Sequence, residues 1–161
     1  MYIISHRGQL NGPSSEQANC PNHLSSIIEL YADLLLEIDL WIDSNGYALG
    51  HDFPQYPVTY AFLEHISSRS IFHIKNIQTC SQESLLSLSK VTSSFHYFSH
   101  EEDKFTLTSQ GWIWNHPKNG ILPNTIAVMP ENSLAVAEIF KLPQLFPDLV
   151  GVCTDYPLQL L

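Results

Sequence analysis

Between Leu34 and Ile42 the chain reads LLLEIDLWI, nearly continuous apolar sequence broken only by Glu37 and Asp39. A run this apolar is too hydrophobic for an edge strand and reads as a central strand buried on both faces. Strand side chains alternate between faces, so Glu37 and Asp39 share one face. Two adjacent carboxylates on a buried strand repel each other and are costly to desolvate. Either a cation lies between them, or the pair forms a solvent-facing polar row on a half-buried strand. The flanking apolar residues favour the cation. A turn at Ser44-Asn45-Gly46 and a second extended piece ending in His51-Asp52 follow.

The rest of the chain alternates strand and helix around this element. Tyr2–Ser5 is a short strand closed by His6-Arg7-Gly8, and Gln9–Ser15 has loop chemistry. Pro21–Asp33 reads as a helix from Leu24, Ile27, Ile28 and Tyr31 at helical spacing, with Pro21 tolerated in its first turn. A helix is expected over Pro57–Ser67, a strand over Ser70–Lys75, a helix over Gln82–Val91 and a strand over Phe95–Ser99. His100–Gln110 shows no helical pattern and leads to Gly111–Asn115. His116–Pro123 reads as a loop, Thr125–Met129 as a strand, Glu131–Phe140 as a helix and Val150–Thr154 as a last strand. This order implies an α/β fold with a parallel sheet of about seven strands, in a single domain over residues 1–161.

Composition excludes several classes. A chain of 161 residues with 44% hydrophobic content can bury a core. The net charge of -9 argues against general binding to nucleic-acid backbones or anionic membranes. The three cysteines are widely spaced without a C-x-x-C, which suggests reduced thiols and neither a zinc knuckle nor a disulfide framework. No apolar run approaches the roughly 20 residues of a membrane span. No basic leader with a cleavage site is evident. A soluble, cytoplasmic protein is expected.

Ionisable residues gather at strand ends. His6-Arg7 follow the first strand, Glu37 and Asp39 sit late in the second, and His51 comes soon after. His73 and Lys75 end the third, His100 and Asp103 follow the fourth, Glu131 follows the Thr125 strand, and Thr154-Asp155 end the last. In parallel α/β sheets and barrels, ligands bind beyond the carboxyl ends of the strands. Arg7 can grip a phosphate bidentately and Lys75 adds a point charge. Mg²⁺ or Ca²⁺ on Glu37 and Asp39 would neutralise phosphoryl oxygens. His6 and His51 can divide general acid and general base duties near neutral pH. Singly, each residue has a plainer role as a solvated or satisfied polar group. Jointly, they describe a phosphoryl-transfer site.

The motifs I-S-H-R-G (Ile4–Gly8), E-I-D (Glu37–Asp39), G-H-D (Gly50–Asp52), I-K (Ile74-Lys75) and T-D-Y-P (Thr154–Pro157) resemble the glycerophosphodiester phosphodiesterase family in order and rough spacing. The resemblance spans nearly the whole chain. It implies a metal-dependent TIM barrel, similar at its active end to phosphatidylinositol-specific phospholipases C. It further implies His6 and His51 as the acid–base pair, Arg7 as a phosphate ligand, Glu37 and Asp39 as metal ligands and Lys75 as a site lysine. The implied substrate is a small glycerol-like phosphodiester.

Three departures stand out. The family's E-x-K carboxylate is replaced by His73, which leaves His73 or Glu131 to complete a metal shell. The loop after H-R-G lacks a recognisable P-E-N-T stretch. A TIM barrel typically takes about 250 residues, so a reduced or incomplete TIM-barrel-like fold is expected, and a homodimer is one way to cover its gap. H-I-K-N, S-H-E-E-D and V-M-P-E also look like a small bacterial branch of the superfamily, which would place His73, His100 and Asp103 in the site. A solvated loop is the plainer reading of His100–Asp103, and core packing that of Trp112 and Trp114. The alternatives to hydrolysis are a lyase forming a cyclic phosphate and a phospho-ligand binding module that has lost catalysis.

Overall fold

The computed structural model describes residues 1–79, 81–101, 103–116 and 119–161. Cys80, Glu102, Pro117 and Lys118 lie outside them. Among the described residues, ten strands form one sheet: β1 (Tyr2–His6), β2 (Leu34–Asp43), β3 (Gly46–Leu49), β4 (Tyr56–Val58), β5 (Ser70–Ile74), β6 (Tyr97–Phe98), β7 (Phe105–Leu107), β8 (Ile113–Asn115), β9 (Ile126–Val128) and β10 (Gly151–Thr154). Four α-helices among the same residues accompany them: α1 (Pro21–Leu30), α2 (Tyr60–Ile66), α3 (Leu85–Ser94) and α4 (Leu142–Leu145).

The strands β6-β5-β2-β1-β10-β9-β8 are neighbours in that order, and every pair among them is parallel. β3 and β4 add an antiparallel meander to the far half of β2, and β7 pairs antiparallel with β8. The sheet is therefore mixed, which corrects the all-parallel expectation, and it curls without closing, in keeping with a reduced or incomplete barrel. No ladder joins β6 to β8 among the described residues. The turn after β7 touches β6 there, with Ser109 N–H donating to Tyr97 O at 2.8 Å and Tyr97 N–H donating to Ser109 Oγ at 3.0 Å.

Central β2 carries the architecture. Leu34, Leu36, Ile38, Leu40 and Ile42 are all buried on its outer face, against Leu24 and Ile27 of α1 and Leu63 and Ile66 of α2. On the inner face, Leu35 joins Ile4, Ile71, Phe98, Trp114, Ile126, Val128 and Cys153 in an apolar plug. Val152 and Ala127 face out again, onto Ile139, Leu142 and Leu149.

Strand periodicity then dictates what stands above the plug. Two residues beyond Ile4, Leu35, Ile71, Phe98, Trp114 and Cys153 come His6, Glu37, His73, His100, His116 and Asp155. Because these strands run parallel, this ionisable layer collects at the carboxyl end of the sheet.

Several expected elements differ. Tyr56–Val58 pairs with β3 instead of opening a helix, and α2 begins only at Tyr60, where the Thr59 side chain accepts from Phe62 N–H. Pro57 is tolerated because β4 is an edge strand. Glu131–Phe140 is not an α-helix but two 3₁₀ segments, Pro130–Asn132 and Val136–Lys141. Val136, Ile139 and Leu142 recur every third residue, which suits a 3₁₀ turn. Ile113–Asn115 is a strand, with Trp114 pointing into the plug.

Candidate active site

The ionisable layer lines one cavity of about 400 Å³. His6, Arg7, Glu37, Asp39, His51, His73, Lys75, His100 and His116 contribute to its walls, and Phe98, Trp114, Val128 and Met129 to its apolar side. Among the strand-end residues singled out from the sequence, Asp103, Glu131, Thr154 and Asp155 do not line it. Glu131 clamps the end of β10 instead: its Oε2 accepts from Thr154 Oγ1 at 2.9 Å and its Oε1 from Asp155 N–H at 2.8 Å. Asp103 borders an adjoining, more open depression beside Ile77, Gln78 and Ser99, which shares His100 and Glu101 with the first.

Asp39 is the electrostatic centre. Its Oδ1 lies 3.1 Å from His73 Nδ1 and 3.4 Å from Lys75 Nζ, and its Oδ2 lies 3.1 Å from Arg7 Nε. Burial alone would raise its pKa, but the His73 hydrogen bond and the Arg7 and Lys75 charges outweigh burial and hold it well below the usual carboxylate range. Glu37 moves the other way. Its own burial and the neighbouring Asp39 charge push its pKa up, against the pull of His6, His73 and Arg7. The two carboxylates therefore share a face but differ in how firmly each holds its charge.

The loop after β1 supplies the local order. Arg7 takes a left-handed φ of 55° and Gly8 a φ of 78°. A Cβ on Gly8 would stand 2.7 Å from Leu24 Cδ2, so the chain can turn here against α1 only with glycine. Arg7 N–H donates to Glu37 O at 2.9 Å and to Glu37 Oε2 at 3.2 Å.

Asn19, which the sequence did not mark, is almost wholly buried and completes the arrangement. Its Nδ2 donates to Asp39 Oδ2 at 3.0 Å, its Oδ1 accepts from Asp39 N–H at 3.0 Å, and its own N–H donates to Arg7 O at 2.8 Å. The loop between β1 and α1 thus delivers an asparagine onto the second strand. It takes a φ of 56°, a conformation asparagine tolerates better than most residues.

Two histidines on the cavity wall are each fixed by a carboxylate. His6 Nδ1 lies 2.7 Å from Asp155 Oδ1 inside the protein, and His51 Nδ1 lies 2.6 Å from Asp52 Oδ1 at the rim. A carboxylate at Nδ1 favours the tautomer with its proton there and leaves Nε2 for other chemistry. The rim pair depends on Gly50, whose φ is 148° and whose O accepts from Trp41 Nε1 at 2.6 Å.

No protein-family model, curated protein or solved structure matches the chain. The chemistry of the site therefore rests on its own geometry. Glu37, Asp39 and His73 each offer a ligand atom, and these atoms lie within 4.8 Å of one another. A cation with bonds of about 2.0–2.6 Å reaches donors spaced that way. The residues fit a divalent metal.

Proposed function

We propose that this protein cleaves a small phosphodiester, with a divalent metal held by Glu37, Asp39 and His73. The observation that carries the reading is the convergence on one cavity of two carboxylate-anchored histidines, two cations and that ligand cluster. Arg7 and Lys75 give the cavity the positive charge a phosphoryl group needs, and stabilising the charge on the phosphoryl oxygens in the transition state is the main demand of phosphoryl transfer. The metal, when bound, supplies further charge neutralisation at those oxygens.

His6 and His51 handle the protons. One takes the proton of the attacking water, or of a neighbouring hydroxyl in the cyclising reaction, as its oxygen bonds to phosphorus. The other gives a proton to the alcohol oxygen as the opposite P–O bond breaks. Phe98, Trp114, Val128 and Met129 give the same cavity an apolar wall, with Phe98 stacked on His73.

A second reading has one observation in its favour. Arg7, Lys75 and His73 already compensate Asp39 without a metal, an arrangement that also suits a module binding a phosphorylated ligand. A panel of phosphodiesters assayed with and without EDTA decides between them. EDTA-sensitive turnover that is lost in His6→Ala and His51→Ala supports the enzyme. Ligand binding without turnover in any metal supports the module, and full activity in both variants overturns the acid–base assignment. Phosphorus NMR of the product separates hydrolysis from formation of a cyclic phosphate.

A further inference from the structure

The third corner of the ligand cluster is an imidazole, and the fold holds it there. We propose that the Glu37–Asp39–His73 cluster selects a borderline first-row transition ion, of the Mn²⁺ and Zn²⁺ kind, over Mg²⁺ and Ca²⁺. This rests on the reading of the cluster as a metal centre and deepens it by naming the class of ion.

His73 is placed by register. It pairs directly with Asp39 across the β2–β5 ladder, so its Nδ1 sits 3.1 Å from Asp39 Oδ1 and 3.9 Å from Glu37 Oε1. The ring packs parallel to Phe98 and His100, with centroids 4.7 Å and 4.6 Å away and planes within 10° and 7°. It cannot swing aside to admit another ligand without breaking these stacks. Its second nitrogen, Nε2, is buried and has no hydrogen-bond partner, so the ring has no competing attachment on that side.

Glu101 also lines the cavity, but among the described residues the group whose ligand atoms lie within reach of one another is Glu37, Asp39 and His73. Away from the cavity wall, Glu131 is tied to Thr154 and Asp155, and Asp155 to His6. The donor set is therefore two carboxylates and one imidazole. Ca²⁺ takes six to eight oxygens and Mg²⁺ prefers an octahedron of oxygens, whereas an imidazole nitrogen beside carboxylates suits Mn²⁺, Fe²⁺ or Zn²⁺. Competition adds to this preference. An incoming ion must displace the hold of Arg7 and Lys75 on Asp39, which a weakly binding hard cation does poorly and a nitrogen-ligated ion does better.

The test uses the full chain stripped with EDTA and titrated calorimetrically with Mn²⁺, Zn²⁺, Mg²⁺ and Ca²⁺ in the same buffer. The expected result is one site per chain that binds Mn²⁺ and Zn²⁺ at least tenfold more tightly than Mg²⁺ and Ca²⁺. Pulsed EPR of the Mn²⁺ form should show coupling to one imidazole nitrogen. That coupling should vanish in His73→Glu and His73→Gln, and the Mg²⁺ and Ca²⁺ affinities of these variants should rise relative to Mn²⁺. If a variant fails to fold, the wild-type affinities and the wild-type EPR signal still decide. Equal or tighter binding of Mg²⁺ or Ca²⁺, or Mn²⁺ binding without imidazole coupling, overturns this inference and leaves metal-dependent cleavage standing. Failure of all four ions to bind overturns both.

Discussion

His6 Nδ1 sits 2.7 Å from Asp155 Oδ1, although 149 positions separate the two residues in the chain. The parallel pairing of β1 with β10 makes the contact, since Ser5 lies opposite Thr154 in that ladder and the next residue on each strand meets across it. Each member is held independently: Asp155 N–H donates to Glu131 Oε1, and His6 rises from the plug two residues beyond Ile4.

Asp155→Asn should keep the geometry and spoil the chemistry. An asparagine amide can donate to Nδ1 and so stabilise the opposite tautomer of His6. The expected outcome is a fall in kcat of about a hundred- to ten-thousand-fold, the usual weight of a general acid or base, with KM little changed. Steady-state kinetics on the phosphodiester found by screening measures this. An unchanged kcat would remove His6 from proton transfer.

Asn19→Ala should loosen the metal ligand and not merely the loop. It strips one hydrogen bond from the Asp39 carboxylate and leaves Asp39 N–H buried without its acceptor. The expected cost is about 1–3 kcal/mol in urea unfolding, typical of an unsatisfied buried group. Metal affinity should drop about 10–100-fold, as when a residue that orients a ligand is lost. Glu131→Ala, which touches β10 and not the cluster, should destabilise the fold and leave metal affinity in the folded protein intact.

Gly50→Ala tests the rim. The added Cβ would fall 2.3 Å from Phe53 O, and the φ of 148° is one that side-chain-bearing residues rarely adopt. A loss of about 1–3 kcal/mol is expected, together with displacement of His51 and a lower kcat. Chemical denaturation and kinetics on the same variant separate the two effects.

Stability should fall as pH drops from about 6.5 towards 4. Burial lowers the pKa of His96 to about 4, and its Nε2 lies 2.8 Å from Thr108 Oγ1. An unfolded histidine titrates near 6.5. Between those values the unfolded chain binds the extra proton, so unfolding becomes easier with acid and the contribution is complete above about 6.5. His96→Gln should flatten the slope of the urea midpoint against pH. It should not abolish it, because burial also lowers His100 to about 4.

Much of this was legible in the residues, and the exceptions share a cause. LLLEIDLWI announced a central strand because its pattern is local. His6, Arg7, Glu37, Asp39, His51, His73 and Lys75 could be grouped because each reads as close to a strand end, and the structure brings them to one cavity, although β2 runs on past Glu37 and Asp39 to Asp43. Glu131 looked equally eligible by position, yet its carboxylate faces β10, a direction that depends on the left-handed φ of 46° at Met129 before the Pro130 turn. Asn19 and the partnership of Asp155 with His6 were hidden because both depend on where distant segments meet. The openness of the sheet was foreshadowed by length alone. Its antiparallel hairpins were not, since Tyr56-Pro57-Val58 and Phe105-Thr106-Leu107 are too short to declare a direction.

The β1–β10 pairing also bears on synthesis. A chain made from its amino end exposes β1 with only β2 beside it until the last strand emerges, and contacts so distant in sequence close late and slowly. Until then His6 has no carboxylate partner and Ile4 and Leu35 lack the Cys153 side of their plug. The nascent protein therefore carries an unpaired, apolar strand edge from the synthesis of β1 until that of β10. Completion of the fold and assembly of its proton-handling pair are one event.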